Sequence, residues 1–197
     1  MQLLLSLTAL LQRINDAILA VGRWIGVGAL ALMVCLILGQ VFFRYVLNDA
    51  PNWTEEAARF CMLWMTGLLA PMALRQGGFV SIDMLERALP RAVSSILTLT
   101  LLGLTFWVLL IMWDKGWNNH VDTLSGRGKS ASLRLPLDWF GGERIKFRNW
   151  WMFASLFTAV NLLILVTVEL MLRQIVTFAG HAHRLRPIGT GPTVRAD

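Results

Sequence analysis

Charge is scarce in this chain. Asp, Glu, Lys and Arg make up 15% of its 197 residues, while 56% are hydrophobic. A soluble domain carries charge on closer to a quarter of its residues. The mean hydropathy of +0.58 points the same way. No stretch outside the apolar runs is longer than Asp114–Asn149, which leaves no room for a separate catalytic domain. The two cysteines, Cys35 and Cys61, both lie inside apolar runs. They have no metal-type spacing, form no disulfide framework, and read as small buried apolar side chains. Of three histidines, His120 falls in a connection and His181 and His183 in the tail. None sits within a span, so ligation of heme by helix histidines is excluded. His181-x-His183 has no companions for a metal site. There is no Walker motif, GxSxG or HExxH. Gly126-x-Gly128-Lys129-Ser130 lacks the spacing and the preceding strand of a phosphate loop. The chain is expected to have no catalytic residue, no cofactor and no enzymatic activity.

What the chain does have is four long apolar runs, about 25–43, 57–74, 92–113 and 150–172. Each approaches the ~20 residues that a helix needs to cross a ~30 Å hydrocarbon core. The fold class is therefore an all-α integral membrane protein with four transmembrane helices, its membrane domain covering 24–173. The formal charge of +6 and the pI of about 10.3 come from residues flanking these runs. There they meet lipid headgroups and orient helices, so membrane lipids are the expected partners and nucleic acid is not.

Ahead of the first span, Leu3, Leu7, Leu10, Ile14, Ala17 and Val21 recur at helical spacing, with Gln2, Ser6, Arg13 and Asp16 on the opposite side. This pattern predicts an amphipathic arm over 1–23, lying on the membrane surface or packed on a partner until the chain turns inward at Trp24. No cleavable signal peptide is expected here. Gly22, Gly26 and Gly28 are placed to permit close helix approach. Arg44 ends the first span. Glu55 and Glu56 fall in the first turn of the second, where the macrodipole favours anions, and Arg59 can pair with Glu55 four residues earlier. Pro71 is the one mid-span break and predicts a kink.

Phe79–Leu89, with Asp83, is too short to span and reads as an interfacial helix between spans 2 and 3. The third connection is rich in Gly, Ser and basic residues, among them Arg127, Lys129 and Arg134; Pro136 fixes a turn within Leu133–Phe140, a segment apolar enough to dip to the surface. In the fourth span Asn161 lies near the middle, and Arg173 follows Glu169 by four. An asparagine at that depth reads first as a helix–helix hydrogen bond. A polar tail occupies 174–197. Trp24, Trp53, Trp113, Trp117, Trp139, Trp150 and Trp151 cluster at span ends as an aromatic belt, while Trp64 and Trp107 lie deeper. Nine basic residues on the terminal side against seven in the third connection favour cytoplasmic termini.

The residues so far describe a membrane scaffold that works by binding something larger. The run Gln40-Val-Phe-Phe-Arg44-Tyr45-Val-Leu-Asn48, then Trp53-Thr-Glu55-Glu56-Ala-Ala-Arg59 and Trp64, resembles the small (Q-type) membrane subunit of tripartite ATP-independent periplasmic (TRAP) transporters. The Arg75–Asp83 segment, Leu89-Pro90 and Ser132-Leu-Arg-Leu-Pro136 extend the resemblance, in order, from about Trp24 to Leu172. Phe79 stands where that family usually has a histidine, so no role of that histidine carries over.

The resemblance implies a multi-pass protein of the bacterial inner membrane with both termini cytoplasmic. Its partners would be a large (M-type) membrane subunit and a periplasmic substrate-binding protein that delivers an organic acid. Uptake would be driven by an ion gradient, sodium by expectation. Arg44, Trp53, Glu55, Glu56, Arg59, Trp64, Asp83, Pro136 and Asn161 become interface or structural candidates, and Arg127, Lys129 and Arg134 candidates for docking the binding protein. The alternative is a membrane anchor or assembly subunit of a redox or enzyme complex.

Overall fold

The computed structural model describes residues 2–48, 53–77, 91–116, 129–135, 145–148 and 150–178. Four long helices dominate: α1 (Gln2–Tyr45), α2 (Trp53–Arg75), α3 (Arg91–Lys115) and α4 (Trp150–Phe178). All four are long and apolar enough to cross a membrane. The expected interfacial helix over Phe79–Leu89 lies outside the described residues, as does the chain from 179 onward.

The first span is not a separate element. α1 runs unbroken for 44 residues, so no turn occurs at Trp24 and the N-terminal arm is its first half. At ~1.5 Å per residue this helix is about 66 Å long, roughly twice the ~30 Å hydrocarbon core. Its sequence contains no proline, and its glycines are single interruptions that a helix tolerates. Arg44 in the last turn meets the negative end of the dipole, and Asn48 beyond it adopts a positive φ of 54°. α2 continues helical through Pro71 and closes at Gly77, whose φ of 86° suits a glycine ending a helix. α4 reaches Phe178, six residues beyond the expected end of the fourth span.

Several hydroxyl and amide groups within the spans are satisfied inside their own helix, as suits a lipid environment. Thr98, Thr100 and Thr105 in α3, and Thr158 and Thr167 in α4, each donate to the carbonyl four residues back. Asn161 does the same: its Nδ2 donates to the Phe157 carbonyl at 2.7 Å, a bond within α4 rather than the expected bond between helices.

Helices α1, α2 and α4 form a triangle, and α3 packs chiefly on α4. Close approach depends on small residues. A Cβ at Gly26 would lie 2.9 Å from Leu69, and one at Gly22 would lie 3.6 Å from the Leu68 carbonyl oxygen. Gly28, expected to act with them, meets nothing within 4 Å. The closest approach to another helix's backbone is at Gly67, where a Cβ would lie 2.9 Å from the backbone oxygen of Ser155 and 3.5 Å from Ala159. Nearby, the Trp64 indole Nε1 donates to the Trp151 carbonyl at 3.2 Å, tying α2 to the start of α4.

The all-α reading holds for the four spans, but the third connection adds two short strands. β1 (Lys129–Leu135) pairs antiparallel with β2 (Ile145–Arg148), with an irregularity between Lys129 and Arg134, and β1 lies beside α2. Alternation was the available signal: Ala131, Leu133 and Leu135 interleave with Ser130, Ser132 and Arg134, and Ile145 and Phe147 with Lys146 and Arg148.

Candidate functional site

The buried face of α1 is not the apolar stripe. Thr8, Gln12, Asn15, Leu19, Gly22 and Gly26 are buried, at spacings of four and three. This seam lies one residue, or ~100°, around the helix from Leu7, Ile14 and Val21. Those three side chains, with Leu10 and Ile18, are exposed. In water such an arrangement would be inverted. Against lipid, an apolar exterior costs nothing, and polar groups gain by pairing inside.

The seam leads into a charge network shared by three helices. Glu169 of α4 is completely buried, and the Arg75 side chain of α2 is 6% exposed. Arg75 donates to Glu169 Oε1 at 2.9 Å and, through its other terminal nitrogen, to Asp16 Oδ1 of α1 at 2.5 Å. Asn15 Nδ2 donates to Glu169 Oε2 at 2.6 Å and makes a longer bond, 3.4 Å, to the Leu165 carbonyl. Arg173, one turn beyond Glu169, donates to Oε1 at 3.2 Å. Two carboxylates thus face two guanidinium groups, and the cluster is formally neutral. Arg75 Nε is buried with no hydrogen-bond partner among the described residues.

The position of the network follows from the uncharged stretches it terminates. α1 has no charged residue between Arg23 and Arg44, α2 none between Arg59 and Arg75, and α4 none before Glu169. Asp16, Arg75 and Glu169 therefore gather where three apolar stretches end together. That places the network at one edge of the apolar slab, with the first half of α1 and the last turns of α4 continuing past it. Buried charges near a membrane are costly and are kept where they pair.

At the other end lie the residues singled out from the sequence. Arg59 pairs with Glu55 along α2, and both are exposed. This pair runs within one helix and does not itself join α1 to α2. Arg44 and Trp53 are also exposed, Glu56 is half-buried, and Thr54 is buried. Asp83, Arg127 and Pro136 lie outside the described residues. Lys129 and Arg134 are on β1, where the register sets Lys129 opposite Arg148 and Arg134 opposite Lys146.

The sequence reading missed the network as a site. Its signals were a lone acid near the end of the fourth run and the polar positions Thr8, Gln12 and Asn15 at heptad spacing. Among the described residues, no group of His, Cys, Asp and Glu is arranged to hold a metal ion.

These features define a four-span membrane protein with a buried polar network that joins its own helices. The chain matches the family model described as the DctQ component of tripartite ATP-independent periplasmic transporters, over residues 33–177. It belongs to that family, which is one of transporter components and not of enzymes. It is 34% identical over 64 residues to a Haemophilus influenzae protein provisionally named TRAP transporter small permease protein. That match spans 32% of this chain and 40% of the relative's length. No solved structure matches the chain.

Proposed function

We propose that this chain is the small permease subunit of a TRAP-type secondary transporter in a bacterial inner membrane, with both termini cytoplasmic. It braces a large M-type subunit that imports an organic acid, delivered by a periplasmic binding protein and driven by a sodium gradient. The observation that carries this reading is the family match across residues 33–177. Two features of the fold support a scaffolding role. The network of Asp16, Arg75, Glu169, Asn15 and Arg173 bolts α1, α2 and α4 into a rigid frame. The exposed apolar stripe of α1, from Leu7 to Val21, offers that frame a long face for the large subunit. Lys129, Arg134, Lys146 and Arg148 on the ribbon, and Arg127 in the same connection, are the docking candidates for an acidic binding protein, and Arg44, Trp53, Glu55, Glu56 and Arg59 are further interface candidates.

The test is mild-detergent capture of the chain from its native membrane, followed by reconstitution of what co-purifies. The expected result is a stoichiometric polytopic partner and sodium-dependent uptake that requires a binding protein. Recovery with cytochromes or other enzymes would replace this reading with that of a membrane anchor.

A further inference from the structure

The unpaired Arg75 Nε belongs to a side chain that also lines a small polar cleft on the outer side of the network. The cleft has a volume of about 120 Å³ and is walled by Asp16, Leu19, Ala20 and Arg23 of α1 and by Met72, Arg75 and Gln76 at the end of α2. A water occupies ~30 Å³ in the liquid, so the cleft has room for about four waters or one tetrahedral oxyanion. Its own charges are two guanidinium groups, Arg23 and Arg75, and one carboxylate, Asp16, which Arg75 already engages. Behind it Glu169 and Arg173 offset each other. The wall therefore keeps one net positive charge.

We propose that this cleft is a binding site for a phosphate group, held by Arg23 beside the Arg75 guanidinium, with the Gln76 amide at its rim. Guanidinium donors match phosphate oxygens in geometry and in charge. The site sits at the edge of the apolar slab, where phospholipid phosphates lie, and Leu19, Ala20 and Met72 supply an apolar wall beside it. Trp24, exposed and next to Arg23, is a residue type favoured at that depth. The phosphate can come from an anionic glycerophospholipid or from a free phosphate ion, and the chemistry of the cleft is the same for both. A bound phosphate would balance the cleft's net positive charge and join α1 to α2 through a third party.

The experiment is native mass spectrometry and thermal unfolding of the full chain in mild detergent. The probes are phosphatidylglycerol, diacylglycerol (which lacks the phosphate) and inorganic phosphate. Arg23→Gln and Gln76→Ala alter the cleft, and Arg13→Gln changes an exposed arginine on the same helix. The expected result is one retained phosphatidylglycerol, preferred over diacylglycerol by about tenfold, with that preference lost in Arg23→Gln, weakened in Gln76→Ala and unchanged in Arg13→Gln. A saturable shift with inorganic phosphate that Arg23→Gln abolishes, without any lipid preference, would identify the free ion as the source. Equal retention of both lipids, or equal effects of Arg23→Gln and Arg13→Gln, with no saturable phosphate shift, would overturn the proposal. If Arg23→Gln fails to fold, Gln76→Ala alone decides between the same outcomes.

Discussion

Replacing Glu169 by Gln is the sharpest test of the network. The substitution preserves shape and leaves an amide oxygen to accept from Asn15 or Arg75. It removes the one carboxylate among the described residues that is fully buried, and that receives donors from Asn15, Arg75 and Arg173. The neutral cluster then holds two guanidinium groups against Asp16 alone, and Asp16 is half exposed. Breaking a buried pair by removing one partner costs about 3–5 kcal/mol because it strands the other charge. The residual amide contacts place this variant at the lower end, ~3 kcal/mol. For a chain of this size each kcal/mol moves the melting midpoint by roughly 2–4 °C, so Tm should fall by about 6–12 °C. Thermal unfolding of the detergent-purified protein, followed by intrinsic tryptophan fluorescence, reads this directly. A cycle with Arg75→Met sharpens the result: the Arg75→Met/Glu169→Met double variant should be more stable than either single Met variant, since the two most buried charges of the network leave together and Asp16 and Arg173, which lose their partners, are more exposed. A Tm loss under ~2 °C for Glu169→Gln, together with additive single and double variants, would show that the network does not hold the helices together.

Other outcomes follow from particular contacts. Gly67→Ala drives a Cβ to within 2.9 Å of the Ser155 backbone oxygen. It should cost about 1–3 kcal/mol in thermal unfolding as α2 and α4 are pushed apart. Gly28→Ala, which meets nothing within 4 Å, should be neutral or stabilising by up to ~1 kcal/mol in the same assay. Arg59→Ala breaks an exposed pair with Glu55 and should change stability by less than about 0.5 kcal/mol; a large loss of uptake with unchanged Tm would assign the residue to docking. Reversing Lys129 and Arg134 to Glu should slow association of an acidic binding protein at low salt, and the difference should shrink as ionic strength rises, measured by surface-immobilised binding kinetics.

Much of the fold was legible because lipid imposes a simple rule. Only long apolar helices satisfy their own backbones in hydrocarbon, so the four runs near 25–43, 57–74, 92–113 and 150–172 could be read from composition and length. The pairing of Glu55 with Arg59 was also readable, because i,i+4 spacing is local. In the N-terminal half of α1 the expected turn at Trp24 is absent, because nothing in the sequence there breaks a helix. The apolar stripe is left exposed, and the adjacent polar seam, which the sequence did not single out, is the side buried against α2 and α4. Periodicity reports that a helix has two faces; it does not report which one faces solvent, lipid or protein. The β1–β2 ribbon was missed because two short alternating segments are weak signals inside a long basic connection.

The sequence by itself determined the class: charge confined to the flanks of four apolar runs permits a membrane bundle and little else, and ordered motifs from Gln40 to Pro136 carry the family. Only the tertiary structure decided where the polar chemistry meets. Asn15, Arg75 and Glu169 are separated by 60 residues or more in the chain, and each alone reads as a span end or a stray polar group. Their encounter depends on the antiparallel offset of α1 and α2 and on the close crossing of α2 and α4 at Gly67, which bring three helix ends to one level. Such offsets are set by side-chain packing between helices, a property of pairs of surfaces that no single stretch of sequence contains.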